Sequence, residues 1–275
     1  MPRLGLIYRK WRCNCAVFVL YCLFFGINQR LRRFPSTQEN SCGRFMLVTT
    51  IKGRVGYAKL LSDTLEWLKV YDVASVQLFV DETSELSVHR VRRMFPRGQV
   101  HRVKHEFTPQ TSPDISTRIA FEHFFRSCHD ILVNVDSDSL LHPGWSQFIE
   151  THLNISRGVL SLYNSAVHQC IHFANDYCIK ETAGALGVVM THSVVGQVLE
   201  HIPRRLGDFD WGFVDYFRTQ NVTFVVPRKS LMLHYGMHGS NGNGIHGERA
   251  VGFDEGFLPL SMRKRVAEFM MGRSP

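Results

Sequence analysis

Segments of this chain alternate between two hydrophobic periods, and that alternation limits the fold more than any other feature. "RFMLVTTI" (44–51), "SVQLFVDE" (75–82), "QVHRVKHE" (99–106) and "ILVNV" (131–135) read as strands, several of them apolar on both faces. Between them, "YAKLLSDTLEWLKVY" (57–71), a stretch near 84–94 and "STRIAFEHFFRSC" (116–128) repeat apolar residues at three and four, the period of a helix with one buried face. A strand, a helix and a second strand in that order form a βαβ unit. The spacing therefore predicts an α/β domain with a mostly parallel central sheet flanked by helices. "GVLSLY" (158–163), "LGVVMTHSVVGQVLEHI" (186–202), "DFDWGFVDYFRT" (208–219) and "VTFVVPRKSLMLHYG" (222–236) extend the pattern without an internal repeat.

At 275 residues and 44% hydrophobic character, the chain can bury a substantial core. Its net charge of +8 raises the question of nucleic acid, and the location of the charge answers it. Arg3, Arg9, Lys10, Arg12, Arg30, Arg32 and Arg33 supply seven of the eight, with no acid among the first 33 residues. The remainder is nearly neutral, so the nucleic-acid reading loses its main support and no nucleic-acid partner is expected.

Within the basic segment, "CNCAVFVLYCLFFGI" (13–27) is a membrane signal: short for a full span, close to a secretory h-region, and followed by "NQRLRRF" in place of a small-residue cleavage site. An uncleaved anchor is expected, giving a cytosolic tail at 1–12, a signal-anchor helix at 13–29, a stem at 30–43 and a catalytic domain at 44–275. That order makes a single-pass type II protein of the Golgi or endoplasmic reticulum membrane with its body in the lumen. Asn154 in "NIS" and Asn221 in "NVT" are glycosylation acceptors in keeping with this, Asn221 standing close to a strand. Cys42, Cys128, Cys170 and Cys178 allow two disulfides in three connectivities or four free thiols, and the short spacing favours Cys170 with Cys178.

The chemistry concentrates where "ILVNV" runs into "DSDSLLHPGW". In an open parallel sheet, ligands gather beyond the carboxyl ends of the strands, and Asp136 and Asp138 stand there. Residues two apart in extended chain point the same way, so both carboxylates can face one point. Two hard oxygen donors so held suit Mg²⁺ or Mn²⁺ and, through the ion, a diphosphate. The alternative is an ordinary strand-to-turn ending, for which Asp and Ser are common choices.

On these residues the chain resembles nucleotide-sugar-dependent glycosyltransferases of the Rossmann-like GT-A fold, most closely the inverting enzymes of the family 2 type, over roughly residues 44–240. The resemblance implies transfer of a sugar from a nucleotide donor, UDP-linked by the habit of the family, to a hydroxyl of a glycan or glycoconjugate. It implies that Thr49 and Thr50 in "LVTTI" and Asp81 in "LFVDETSE" hold the nucleoside, and that Arg118 in "ISTRIAFEHF" lies beside the diphosphate. Asp138 becomes the direct metal ligand and Asp136 the partner of ribose or metal, with a third ligand from His234 and weaker candidates in His238 and His246. Gly184 and Gly187 in "AGALGVVM" would line the sugar pocket, and Trp211 would stack on a sugar ring or join the core. Inversion needs a carboxylate to take the acceptor's proton. The pattern assigns that base to Asp210, with Asp208 and Asp215 as alternatives and Asp208 also suited to an N-cap. The family's Glu before the base is Phe209 here, which keeps a catalytically silent, glycan-binding or scaffold protein in view. A retaining transferase of the same fold is the third reading.

Overall fold

The computed structural model describes residues 42–51, 55–81, 88–103, 112–202, 209–236 and 250–271. The expected tail, the signal-anchor helix at 13–29 and most of the stem lie outside them. Among the described residues, no helix is long and apolar enough to cross a membrane.

The first half follows the expected alternation. β1 (Phe45–Ile51), α1 (Val55–Trp67), β2 (Ala74–Asp81), α2 (Val88–Met94), β3 (Gln99–Val103), α3 (Ser112–Phe125) and β4 (Ile131–Asn134) form successive βαβ units. β1 pairs in parallel with both β2 and β4, and β2 with β3. Buried on both faces, β1 sends Phe45, Leu47 and Ile51 to one side and Met46 and Val48 to the other. Ala58, Leu61 and Leu65 of α1 with Val91 of α2 cover the first side, and Ala120, Phe121 and Phe124 of α3 cover the second.

The second half adds β5 (Ser139–Leu141), α4 (Trp145–His152), β6 (Val159–Ser161), β7 (Cys170–Phe173), β8 (Tyr177–Lys180), β9 (Val188–Thr191), α5 (His192–His201), α6 (Phe209–Thr219), β10 (Phe224–Pro227), β11 (Met232–His234) and α7 (Leu260–Met270). Among the described residues the large sheet has nine strands in the order β3-β2-β1-β4-β9-β6-β10-β8-β7. β9 runs against β4 and β6, and β8 runs against β10 and β7, while β6 and β10 keep the direction of β4. The sheet is thus mixed but mostly parallel. On α6, Phe209, Phe213 and Phe217 recur at the helical period and are all buried with Val194, Val195 and Val198 of α5.

The single stretch 222–236 divides into two strands in two sheets. β10 joins the large sheet, whereas β11 pairs with β5 in a separate two-stranded sheet. Between them, the side-chain amide of Asn164 donates to the carbonyls of Pro227 and Arg228 at 2.9 Å each, which fixes the redirected chain. Leu140 of β5 and Leu233 of β11 pack with Leu60, Val266 and Phe269, so α7 closes a third apolar cluster beneath the small sheet.

The four body cysteines are paired. Cys170–Cys178 joins β7 to β8 with Cα atoms 5.8 Å apart, and Cys42–Cys128 ties the start of β1 to the turn before β4 at 5.9 Å. The second bridge closes 86 residues of chain, and loop-closure arguments give such a link about 4 kcal/mol.

Candidate metal centre

β4 is clamped on both edges, by β1 and by β9, and the pairing runs one residue further through Val135 N donating to Val48 O at 2.9 Å. The chain then turns sharply. Both the backbone N–H and the hydroxyl of Ser139 donate to Asp136 O, at 3.2 and 2.7 Å, and the chain returns as β5. Asp136 and Asp138 therefore sit in a four-residue turn at the carboxyl end of a buried strand, the position anticipated for them.

The turn is completed by β11. Its register places His234 opposite Ser139, and His234 Nε2 lies 3.2 Å from Asp138 Oδ1. Ligand atoms of Asp136, Asp138 and His234 all fall within 4.8 Å of one another. The next two residues also touch Asp138: Tyr235 N donates to its carbonyl at 3.0 Å, and Gly236 packs directly on its carboxylate. Asp138 is nearly buried, its side chain 7% exposed, whereas His234 is 31% exposed and Asp136 is half-buried. Two carboxylates this close repel, and a buried one is costly unless paired, so the cluster is set up to gain from a divalent cation. Two carboxylates and one imidazole suit Mn²⁺ somewhat better than Mg²⁺, which prefers oxygen alone. Tyr235 is fully buried, and burial followed by the Asp138 charge pushes its phenol well above the usual value. It therefore stays a neutral donor to Tyr57 O at 2.8 Å.

Around this cluster, the other expected residues fall into three groups. Thr49, Thr50 and Asp81 end β1 and β2, which with β4 point to the same pole as Asp136. Thr49 and Asp81 are buried, and the Thr49 hydroxyl has no hydrogen-bond partner among the described residues. Gly184 and Gly187 precede β9. At Gly187, φ is +72°, and a Cβ would come within 2.8 Å of Met232 Sδ and 3.0 Å of Tyr163 N. Protein atoms of Met232 and Tyr163 therefore press on its bare α-carbon, while a Cβ at Gly184 meets nothing within 4 Å.

Arg118 has partners within the protein. Nε pairs with Glu122 at 3.2 Å, and the two terminal nitrogens donate to Ile202 O at 2.6 Å and Leu199 O at 3.1 Å. The guanidinium also lies over the Phe209 ring at 5.6 Å. It binds the carbonyls that end α5, where a cation is favoured, so three of its five N–H donors are used within the protein.

Asp210 and Trp211 lie in the first turn of α6, with their side chains outside the described residues, as are Asp208, His238 and His246 altogether. Asp215 is on the solvent side of α6, 68% exposed and 3.2 Å from Arg218.

Two residues that shape the cluster were not singled out from sequence. Asn134, buried at the end of β4, donates Nδ2 to Ala185 O at 3.0 Å and accepts from Gly187 N at 3.0 Å, tying the segment before β9 to the turn. A polar residue in the run "ILVNV" was the available signal. Gly236 is the other, and only its position after His234 marks it. A separate cleft of about 520 Å³ between α1 and α2, lined by Lys59, Asp63, Glu66, Arg90 and Arg93 among others, shares no residue with the cluster.

No protein-family model and no curated protein matches the chain. Solved structures do. S. aureus TarS 1–349 is similar over 67% of this chain at 12% identity and a TM-score of 0.49, and the chain spans 57% of it. The mannosyltransferase PcManGT from Pyrobaculum calidifontis, in complex with GDP-Man and Mn²⁺, is similar over 78% of this chain and 63% of its own at 14% identity and a TM-score of 0.45. A 4-diphosphocytidyl-2C-methyl-D-erythritol synthase is similar over 67% of this chain and 87% of its own at 12% identity and a TM-score of 0.42.

Proposed function

We propose that this protein is a metal-dependent glycosyltransferase that moves a sugar from a nucleotide-sugar donor to a hydroxyl of a glycan or glycoconjugate. The observation that carries the reading is the convergence of Asp136, Asp138 and His234 at the carboxyl end of β4, in the middle of a mostly parallel sheet. Ligand sites of open α/β sheets lie at such an end. Asp138 and His234 would hold a Mn²⁺ or Mg²⁺ ion directly, with Asp136 on the ion or on the donor's ribose. Bound there, the cation neutralises charge on the departing diphosphate. Thr49, Thr50 and Asp81, at the neighbouring strand ends, would receive the nucleoside, with UDP the favoured diphosphate. Asp210 is the assigned general base, taking the acceptor's proton as its oxygen attacks the anomeric carbon and inverts it.

One observation favours a second reading. Phe209 is 1% exposed and its ring meets Phe121 at 5.3 Å, so the residue before Asp210 serves the core and offers no carboxylate. A silent glycan-binding protein would show this departure too. A retaining transferase would also keep the metal cluster, and the anomeric configuration of the product distinguishes it. Localisation is proposed with the function: a lumenal body on an N-terminal anchor in the Golgi or endoplasmic reticulum membrane, in keeping with two disulfides.

Thermal unfolding with a set of nucleotide sugars, with and without Mn²⁺, tests the proposal. Mn²⁺-dependent stabilisation by one donor, together with metal-dependent hydrolysis of that donor, is expected. Stabilisation without hydrolysis or transfer points to the silent reading, and no response to any donor removes both.

A further inference from the structure

We propose that Asn154 and Asn221 carry N-linked glycans that stand side by side on the pole of the sheet opposite the metal cluster. β6 and β10 are parallel neighbours, with Val225 opposite Leu160, and both run in the direction of β4. Their first residues are therefore at the end of the sheet away from Asp136. Asn154 lies in the turn between α4 and β6, and Asn221 in the turn between α6 and β10. Both side chains are exposed.

The surroundings of each site differ in an informative way. Beside Asn154, Ile155 is 57% exposed, so the turn that carries the acceptor stands at the surface. Ser156, which completes the acceptor triplet, is 3% exposed and donates to Leu153 O at 2.8 Å. Modification at Asn154 thus precedes closure of this turn, while the chain is still extended. Asn221 ends α6 in the left-handed conformation at φ 51°, with its N–H donating to Arg218 O and the Val222 N–H to Phe217 O. That is a Schellman ending, and it explains an asparagine here without any glycan. Thr223, however, is exposed beside it, so the triplet remains open to solvent in the folded protein. Nearness to β10 does not hide it.

In the reaction, the Asn amide nitrogen displaces the diphosphate of a lipid-linked oligosaccharide from the anomeric carbon. One C–N bond forms, one C–O bond breaks, the lipid diphosphate leaves and the amide loses a proton to solvent. The inference rests on the lumenal placement proposed above and is independent of the transferase chemistry.

The test expresses the full chain, with its own N-terminal segment, in a eukaryotic secretory cell and reads gel mobility before and after peptide N-glycanase. Asn154→Gln removes one acceptor, and Thr223→Ala removes the other while keeping Asn221 as the helix cap. Each variant is expected to lose one mobility step, and the double variant to match the enzyme-treated protein. Because transfer occurs on the nascent chain, the readout survives a folding defect. Purified single variants should bind Mn²⁺ as the parent does. Unchanged mobility after enzyme treatment, a single occupied site, or a loss of Mn²⁺ binding in a folded variant would overturn the proposal. A doubly glycosylated protein that binds no nucleotide sugar would keep it and remove the transferase reading instead.

Discussion

The α-carbon of Gly236 rests against the Asp138 carboxylate so closely that a Cβ at position 236 would lie 2.5 Å from Cγ and 2.9 Å from Cβ of Asp138. His234, Tyr235 and Gly236 thus contact one aspartate through a ring, a backbone N–H and a bare α-carbon in turn.

Gly236→Ala is therefore expected to push the Asp138 carboxylate out of place. Groups that orient a metal ligand are generally worth about 10- to 100-fold in affinity, so Mn²⁺ binding followed by electron paramagnetic resonance should weaken by that order. Gly184→Ala serves as the control, because its Cβ enters open space. If Gly236→Ala lowers the melting temperature but the folded protein binds Mn²⁺ as tightly as before, the glycine serves packing alone.

Arg118→Ala should cost stability and leave donor binding alone. Its hydrogen bonds to Glu122, Leu199 O and Ile202 O join α3 to the end of α5, and charged hydrogen bonds of this kind contribute about 1.5–3 kcal/mol. Arg118→Lys should recover little, since one ammonium cannot reproduce a planar fork. An Arg118→Ala protein with normal thermal unfolding and much weaker donor affinity would restore the diphosphate role.

The contrast between Arg118 and Asp138 shows what the sequence makes legible. Strands buried on both faces leave continuous apolar runs, so β1, β2 and β4 and the carboxylates beyond β4 can be located by eye. β5 and β11 have three residues each and exist only because they pair with one another, and that pairing alone brings His234 beside Asp138 across 95 intervening positions. His234 was reached through resemblance to a family, not through periodicity. β7 left no alternating pattern, because Ile171, His172 and Phe173 are all exposed. A charge within a helical stretch, as at Arg118, does not say which partner it will meet. Helix-end carbonyls claimed it here, and those are invisible until α5 has been placed.

His101 and His123 should make stability fall on acidification. Their rings lie 4.4 Å apart against Phe79, with His101 Nε2 2.6 Å from Gln77 Oε1. Burial and then His123 hold His101 below its ordinary value near 6.5, and burial and then Arg126 hold His123 below it. His129, depressed mainly by burial and further by His123, belongs to the same group. With the folded values below the unfolded ones, the unfolded chain takes up protons first as pH falls. Full stability is therefore present above about pH 6.5 and declines below it, levelling off once the folded values are passed. Melting temperatures between pH 8 and 5 should trace that decline, and a His101→Phe, His123→Phe double variant should make it shallower, with His129 and His142, also held below their ordinary value by burial, supplying the remainder. An unchanged slope in the double variant would place the pH sensitivity elsewhere.

Asp138→Asn and Asp210→Asn should fail in different ways. Asp138 has one carboxylate oxygen 3.2 Å from His234 and shares the cluster with Asp136, so loss of its charge should weaken Mn²⁺ and donor binding together with turnover. Asp210, in the first turn of α6, is assigned only to the proton transfer. General-base catalysis contributes about 10²–10⁴-fold, so Asp210→Asn should lose turnover by that order while donor affinity stays within about twofold. Direct donor titration and single-turnover rates for each variant separate the two patterns. The exposed Asp215, paired with Arg218, supplies the internal check: Asp215→Asn should leave both quantities unchanged. If Asp215→Asn or Asp208→Asn shows the turnover-only loss while Asp210→Asn remains active, the base belongs to that neighbour. If Asp138→Asn keeps both its metal and its donor, the cluster at the end of β4 is a turn and the metal-dependent mechanism falls with it.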